Sequence, residues 1–303
     1  MRPPTSESSE RKAMEVNLAT QPPRNWLDVP PVVMANILKR IGLVEIVENA
    51  RKVCTTWCEI CKDICKDPAM WQVIYVDAPK NERARQTREE TCKYILEKSQ
   101  GQLVDLTVVN SHDKDLLSHV AERTSQLKRL QFACCGGNMC ESWNEGVLKK
   151  FTLLEELSLF DTSIHISSIE IVGKYCPLLT TLKLNQRPVP YSKSNKLYKK
   201  AVISTAIGNS LPGLRHLELI GNYMSNDGLK SILDGCPHLE SLDLRGCFYI
   251  KLNGALRKRL LQTIKNLKMP KDSLEGYVAV SLFPANIIFF LAFLLKLKSV
   301  ALR

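Results

Sequence analysis

The sequence predicts an α/β chain: an N-terminal module of three helices, followed by a solenoid of parallel strands and helices. Two observations carry this expectation. A Leu-x-x-Leu-x-Leu template, with another apolar residue allowed at the last position, recurs six times between residues 101 and 250. Ahead of it, residues 25 to 79 hold apolar side chains at helical spacing. Hydrophobic residues make up 45% of the 303 and charged residues 24%, the balance of a globular chain that can bury a core.

Residues 1–23 are rich in Ser, Pro and charge, have little to bury, and read as a disordered tail with no secretory signal. Residues 24–79 form the helical module. Val33, Ile37, Leu38 and Ile41, then Val44, Val47 and Val53, recur at helical spacing. Asp28 and the prolines after it mark a helix start, Gly42 an end, and Asp67-Pro68 the end of the third helix.

The stretch VCTTWCEICKDIC, residues 53 to 65, holds Cys54, Cys58, Cys61 and Cys65. If 51–65 is one helix, the four thiols share a face. At about 1.5 Å per residue the outer pair lie roughly 16 Å apart, too far to surround one zinc ion with bonds of about 2.3 Å. No Gly or Pro within 51–67 breaks that helix. The four cysteines therefore read as packing residues. The chain has eleven cysteines, an odd number, which fits thiols in a reducing compartment.

Residues 80–270 form the solenoid. The template begins at 103, 127, 154, 179, 214 and 239, at steps of 24, 27, 25, 35 and 25 residues. Helix-like segments such as SSIEIVGKYC and DGLKSILDGC separate the strands. One strand and one helix per repeat is the leucine-rich solenoid pattern. A doubly wound domain would alternate elements without repeating one leucine template. The long step holds the loop-like insert NQRPVPYSKSNK, and FACCGGNMCES, with Cys134, Cys135 and Cys140, reads as a turn after a strand.

In this template the leucines point inward and the residues between them line the concave sheet. Those positions are Asp105, Thr107, Arg129, Gln131, Glu156, Ser158, Phe160, Thr181, Lys183, Asn185, His216, Glu218, Ile220, Ser241, Asp243 and Arg245. The mixed charge and the aromatic Phe160 suit a protein partner. A net charge of +11 is spread along the chain without a basic arm, so no nucleic-acid partner is expected. No catalytic set, phosphate loop, metal site or cofactor motif is present. The segment NGALRKRLLQTIKNLKMPKDS reads as a basic helix closing the solenoid. Residues 271–303 form a hydrophobic C-terminal tail, in which 276–295 carries no charge and is long enough to span a bilayer. Ser281, Pro284 and Asn286 weaken that reading, leaving as alternatives an apolar flap on the solenoid end or a variant terminus without stable structure.

Across residues 24–270 the chain resembles plant F-box/leucine-rich-repeat proteins of the cysteine-containing repeat class. The carrying residues are Leu27 and Pro30, Ile37-Leu38, Val53-Cys54, Trp57, Pro68 and Trp71, with Cys-Pro before strands in YCPLLTTLKL and DGCPHLESLDL. Val29, where many F-boxes carry the Leu of a Leu-Pro pair, departs from the pattern. The resemblance implies a substrate receptor, not an enzyme, of an SCF-type cullin-RING ubiquitin ligase in the nucleus or cytoplasm. Its F-box would dock on a Skp-family adaptor, and through it on cullin, while the repeats hold an unidentified protein target. A scaffold outside any ligase, or a chain anchored by its tail and facing the cytosol, is the alternative. A short helical module buries little surface by itself, so a partner's helices are a natural sink for its apolar residues. Leu27, Pro30, Ile37, Leu38, Ile41, Val53, Cys54 and Trp57 are the expected adaptor contacts.

Overall fold

The computed structural model describes residues 26–79, 81–135, 142–162, 164–188 and 201–275. The N-terminal tail, the Gly-rich turn with Cys140, most of the insert after residue 188 and the 276–295 stretch lie outside the described residues.

Three α-helices stand first among the described residues: α1 (Pro31–Ile41), α2 (Leu43–Glu48) and α3 (Thr55–Ile64). Pro31 suits the first turn of α1, where the missing N–H costs nothing. Gly42, at φ +85°, ends α1 and turns the chain directly into α2. The third helix stops at Ile64, and Asp67-Pro68 instead starts a 3-10 turn, with the Asp67 carboxylate accepting from the Ala69 N–H at 3.1 Å.

Among the described residues eight strands follow: β1 (Val73–Asp77), β2 (Asp105–Val109), β3 (Arg129–Ala133), β4 (Glu156–Phe160), β5 (Thr181–Asn185), β6 (His216–Glu218), β7 (Ser241–Asp243) and β8 (Asn266–Lys268). They pair in chain order, every pair parallel, in one sheet. Between them run α4 (Glu82–Lys98), α5 (Leu116–Arg123), α6 (Glu145–Leu148), α7 (Ile166–Tyr175), α8 (Ala201–Ser210), α9 (Asn226–Gly235) and α10 (Gly254–Thr263). This is a leucine-rich-repeat solenoid, the architecture expected from the template. The inward strand residues and the apolar sides of the helices share one core.

Two strands fall outside the six template matches. β1 lies inside the 24–79 stretch assigned to the helical module, yet it is the first strand of the sheet. Ile74 and Val76 take the positions of Leu106 and Val108, so the register holds without the leucines that define the template. At the far end, the basic segment is a helix only to Thr263, and Leu267 of β8 pairs in register with Leu242.

The chain leaves successive strands through one repeated turn. Asn110, Cys134 and Asp161 each follow a strand with positive φ, and Gly221 and Gly246 occupy the same place later. The N–H of each bonds a carbonyl of the next rung: Asn110 to Ala133, Cys134 to Phe160, Asp161 to Asn185, Gly221 to Arg245. The next side chain often ties the turn down. Cys135 donates its thiol to the Ala133 carbonyl at 3.4 Å, Thr162 donates to the Phe160 carbonyl at 3.0 Å, and Cys247 donates to the Leu219 carbonyl at 2.8 Å.

The helices on the outer side lie unusually close. A Cβ on Gly173 would overlap the Ser210 carbonyl, one on Gly208 the Ser231 carbonyl, and one on Gly235 the Gly208 carbonyl. Missing side chains thus set the spacing of α7, α8 and α9. Gly208→Ala is expected to lower stability by about 1–3 kcal/mol through overpacking. Gly213→Ala, with its nearest neighbour at 3.8 Å, should leave the urea midpoint unchanged. Equal midpoints for the two variants would refute this account.

The helical module joins the solenoid through α2. Leu43 and Val44 are buried in the solenoid core, whereas Ile46 is buried in the module's own core. On the same helix Glu45 is 6% exposed, and its carboxylate accepts from Arg88 of α4 at 2.8 Å and from Asn49 at 2.7 Å. Arg88 also pairs with Glu48 at 3.1 Å. Arg88→Ala would leave two largely buried carboxylates without their counter-ion, a change that costs about 3–5 kcal/mol in comparable buried pairs. Faster hydrogen exchange across α2, with β4 and β5 unaffected, is the expected signature.

Candidate functional site

Two surfaces emerge, one on the helical module and one on the open face of the sheet. In the module, Met34 and Leu38 of α1 and Trp57, Cys61 and Ile64 of α3 close a small core with Ile46 and Ala50. Leu38 is fully buried and Trp57 is 3% exposed. Both were expected to meet an adaptor, and both instead fill the module's interior. Ile41, Val53 and Cys54 are half-buried and pack against that core from its edge. Pro30 is exposed and Ile37 half-exposed. Leu27 lies in the 3-10 turn Trp26–Asp28, with its side chain outside the described residues.

The outward side of the module is more apolar than helical spacing suggested. Val32 is 74% exposed and Val33 47%. Beside them a shallow groove runs between α1 and α3, lined by Pro31, Val32, Ala35, Lys39, Ile60, Asp63 and Ile64. Sequence reasoning missed Val32 and Ile60. The available signal was an apolar residue on the side of α1 turned away from Met34 and Leu38, which periodicity reads as a solvated face. A Lys39–Asp67 pair at 3.2 Å borders the groove.

The cysteine-rich stretch is not one helix from 51 to 65. Ala50–Lys52 form a separate 3-10 turn, and α3 begins at Thr55. Cys54, in extended backbone at φ −158°, is the helix N-cap, and its sulfur accepts from the Trp57 N–H at 3.5 Å. A cap breaks the helix here without Gly or Pro. Cys58 and Cys65 are half-buried and Cys61 fully buried. Among the described residues no three His, Cys, Asp or Glu side chains converge on a point that could hold an ion. Burial, reinforced by Cys65 and Cys58, pushes the Cys61 thiol up to about 11. That is the reverse of what a thiolate ligand or nucleophile requires.

On the open face, the outward residues are largely paired with one another. Arg129 reaches Asp105 at 2.7 Å, Lys183 reaches Glu156 at 2.6 Å, and Asn185 donates to Glu218 at 3.0 Å. Arg245 holds Asp243 through its Nε and Nη2 atoms, the latter at 2.8 Å. Burial works to raise the Asp243 carboxyl, but the hydrogen bonds and charge of Arg245, with Lys268, bring it below its usual range. Arg129 and His216 are exposed; Thr107, Gln131, Glu156, Thr181, Lys183, Glu218 and Ser241 are half-exposed.

Several expected contact residues are not available on this face. Phe160 is only 3% exposed, in a cluster with Val109 and Ala133, its register neighbours on β2 and β3. Apolar side chains on adjacent strands shield each other, with Tyr75 and Cys134 packed beside them. Ser158, Asn185, Ile220, Asp243 and Arg245 are buried too. The accessible part of the face is therefore narrower and more polar than its sequence positions imply.

A capped helical module fused to a parallel-strand solenoid defines the class of F-box proteins with leucine-rich repeats. The F-box domain family matches residues 26–68. The chain is 40% identical over 255 residues to F-box/LRR-repeat protein 23 of Arabidopsis thaliana, covering 82% of this chain and 54% of that protein. It is 38% identical over 271 residues to F-box protein SKIP19 of the same plant, covering 89% of this chain and 84% of that one. F-box/LRR-repeat protein 22 matches at 38% over 278 residues, covering 90% and 87%. The chain belongs to the F-box/leucine-rich-repeat family, and it spans about half the length of the first of these relatives.

The buried cysteines of the solenoid have a common environment. Burial pushes the Cys92, Cys135, Cys176 and Cys247 thiols to about 12 and that of Cys236 to about 11. An unfolded thiol titrates at about 8.5. The fold thus favours the protonated form, and this contribution to stability is complete below the unfolded value. It is lost as pH rises from about 9 toward 12. Burial and Asp77 push the Tyr75 phenol up to about 12, in the same sense. Urea unfolding under reducing conditions should show a falling free energy from pH 8.5 to 10.5, and a flat profile would contradict the thiol burial.

Proposed function

We propose that this chain is the target-recognition subunit of an SCF-type cullin-RING ubiquitin ligase. An F-box in general serves to bind a Skp-family adaptor. The observation that carries the reading is the exposed apolar strip Pro31-Val32-Val33 on α1. It sits on a module that α2 and the Arg88 ion pairs hold firmly against the solenoid. An apolar helix face left uncovered by the described residues is the kind of surface that lays into a partner's helical groove. Val32, Val33, Pro30 and Ile37 are the contacts we assign, while Leu38 and Trp57 support them from inside.

The chain itself needs no catalytic residue in this role. It holds a target beside a ubiquitin-charged carrier enzyme and raises the effective concentration of the transfer reaction. The accessible polar strip of the open sheet face, with Arg129, Lys183 and His216, is where we place the target. The reading carries with it a nuclear or cytoplasmic location.

Co-purification with a Skp-family adaptor and cullin tests the proposal. Val32→Asp/Val33→Asp is expected to weaken adaptor binding tenfold or more, about 1.4 kcal/mol, with thermal unfolding unchanged. Leu38→Ala should lower stability itself by about 2–5 kcal/mol. Adaptor binding that ignores the double change would refute the assigned face. Binding to adaptor but never to cullin would point to a scaffold outside any ligase.

A further inference from the structure

The sequence holds one Asn-Gly pair, Asn253-Gly254, and it lies where α10 begins. Asn253 is the N-cap residue, yet its side chain makes no cap hydrogen bond. Asn253, Gly254 and Ala255 are all exposed. Gly254 has φ +51°, and no atom lies within 4 Å of where a Cβ would stand. As the first residue of α10, it has no intrahelical acceptor for its N–H. Among the described residues, neither that N–H nor the Asn253 carboxamide has a hydrogen-bond partner.

We propose that Asn253-Gly254 is a self-modification site, at which Asn253 is converted to aspartate and isoaspartate in the folded protein. Hydroxide takes the Gly254 amide proton, and the nitrogen attacks the Asn253 Cγ. The N–Cγ bond forms, the Cγ–Nδ2 bond breaks, and ammonia leaves with a proton from water. Water then opens the succinimide ring at either carbonyl, giving aspartate or isoaspartate, with no oxidation or reduction. A glycine puts no side chain in the way of the attack. The attack needs rotation about the Asn253 Cα–C bond from its extended ψ of 161°, which costs the first hydrogen bond of α10 and no packing around Gly254.

The fold withholds the same chemistry from the Asn-Ser pairs. Asn110 donates its Nδ2 to Asp77 at 2.8 Å and its backbone N–H to the Ala133 carbonyl, and Ser111 is 1% exposed. Asn209 and Ser210 end α8, where helical backbone commits the Ser210 N–H to the preceding turn. The two products at Asn253 act differently. Aspartate puts a negative charge at the start of α10, where the helix dipole favours it. Isoaspartate adds a carbon to the backbone just ahead of the helix that anchors the last repeat through buried Leu260.

Incubation of the folded full chain in mildly alkaline buffer, then tryptic mass spectrometry of peptide 252–257, tests this. The amide-to-acid mass change should accumulate there at least tenfold faster than at Asn110 or Asn209. It should divide between two chromatographic forms, one of them a substrate for isoaspartyl methyltransferase. In urea, Asn110 and Asn209 should convert at least tenfold faster than in the folded chain, and Asn253 less than threefold faster. Gly254→Ala should slow conversion tenfold or more, as should Asn253→Gln, whose longer side chain must close a larger ring. Conversion of Asn253 in urea alone would overturn the proposal, because the fold would then protect the pair. A lone aspartate product would also overturn it, as hydrolysis without the ring, and so would unaltered rates in both variants.

Discussion

A parallel rung can bury its leucines only if something apolar lies on both sides of it. Leu106 through Leu242 meet that condition through their neighbours, and each is essentially removed from water. The condition cannot be met internally at the ends of the array. At the N-terminal end the F-box meets it: α2 gives Leu43 and Val44 to the solenoid and Ile46 to the F-box. The F-box is therefore structurally the first cap of the repeats as well as a module with a core of its own.

That double use ties the two candidate interfaces together. Because α2 belongs to both cores, and because Arg88 on α4 holds Glu45 and Glu48, the exposed face of α1 keeps a set orientation relative to the sheet. In the proposed role, presenting a target to a distant enzyme would depend on such an orientation more than on any single contact. The close approach of α7, α8 and α9 through glycines adds to the stiffness of the frame.

Periodic burial was readable from residues alone. The six leucine templates located β2 to β7, and Gly42 located the break between α1 and α2. Elements that lacked the expected residue types were missed: β1 uses Ile74 and Val76, and β8 runs on from a basic helix. The site residues were harder to read. Leu38 and Trp57 belong to the F-box pattern because they hold its core, and a motif does not distinguish a residue that supports a surface from one that forms it. Phe160 alternates outward as expected, yet its neighbours across the strands cover it.

Residue order alone sets the repeat period, the sheet it builds, the family of the module and the chemical character of the cysteines as small apolar residues. Those follow from local spacing and side-chain type, which act over a few residues. Packing between distant segments places Val32 and Val33, not Leu38 and Trp57, outward, makes Cys54 a helix cap, and leaves Leu267 half-buried. Each depends on which other element arrives beside the residue, and that is a matter of packing between segments far apart in the chain.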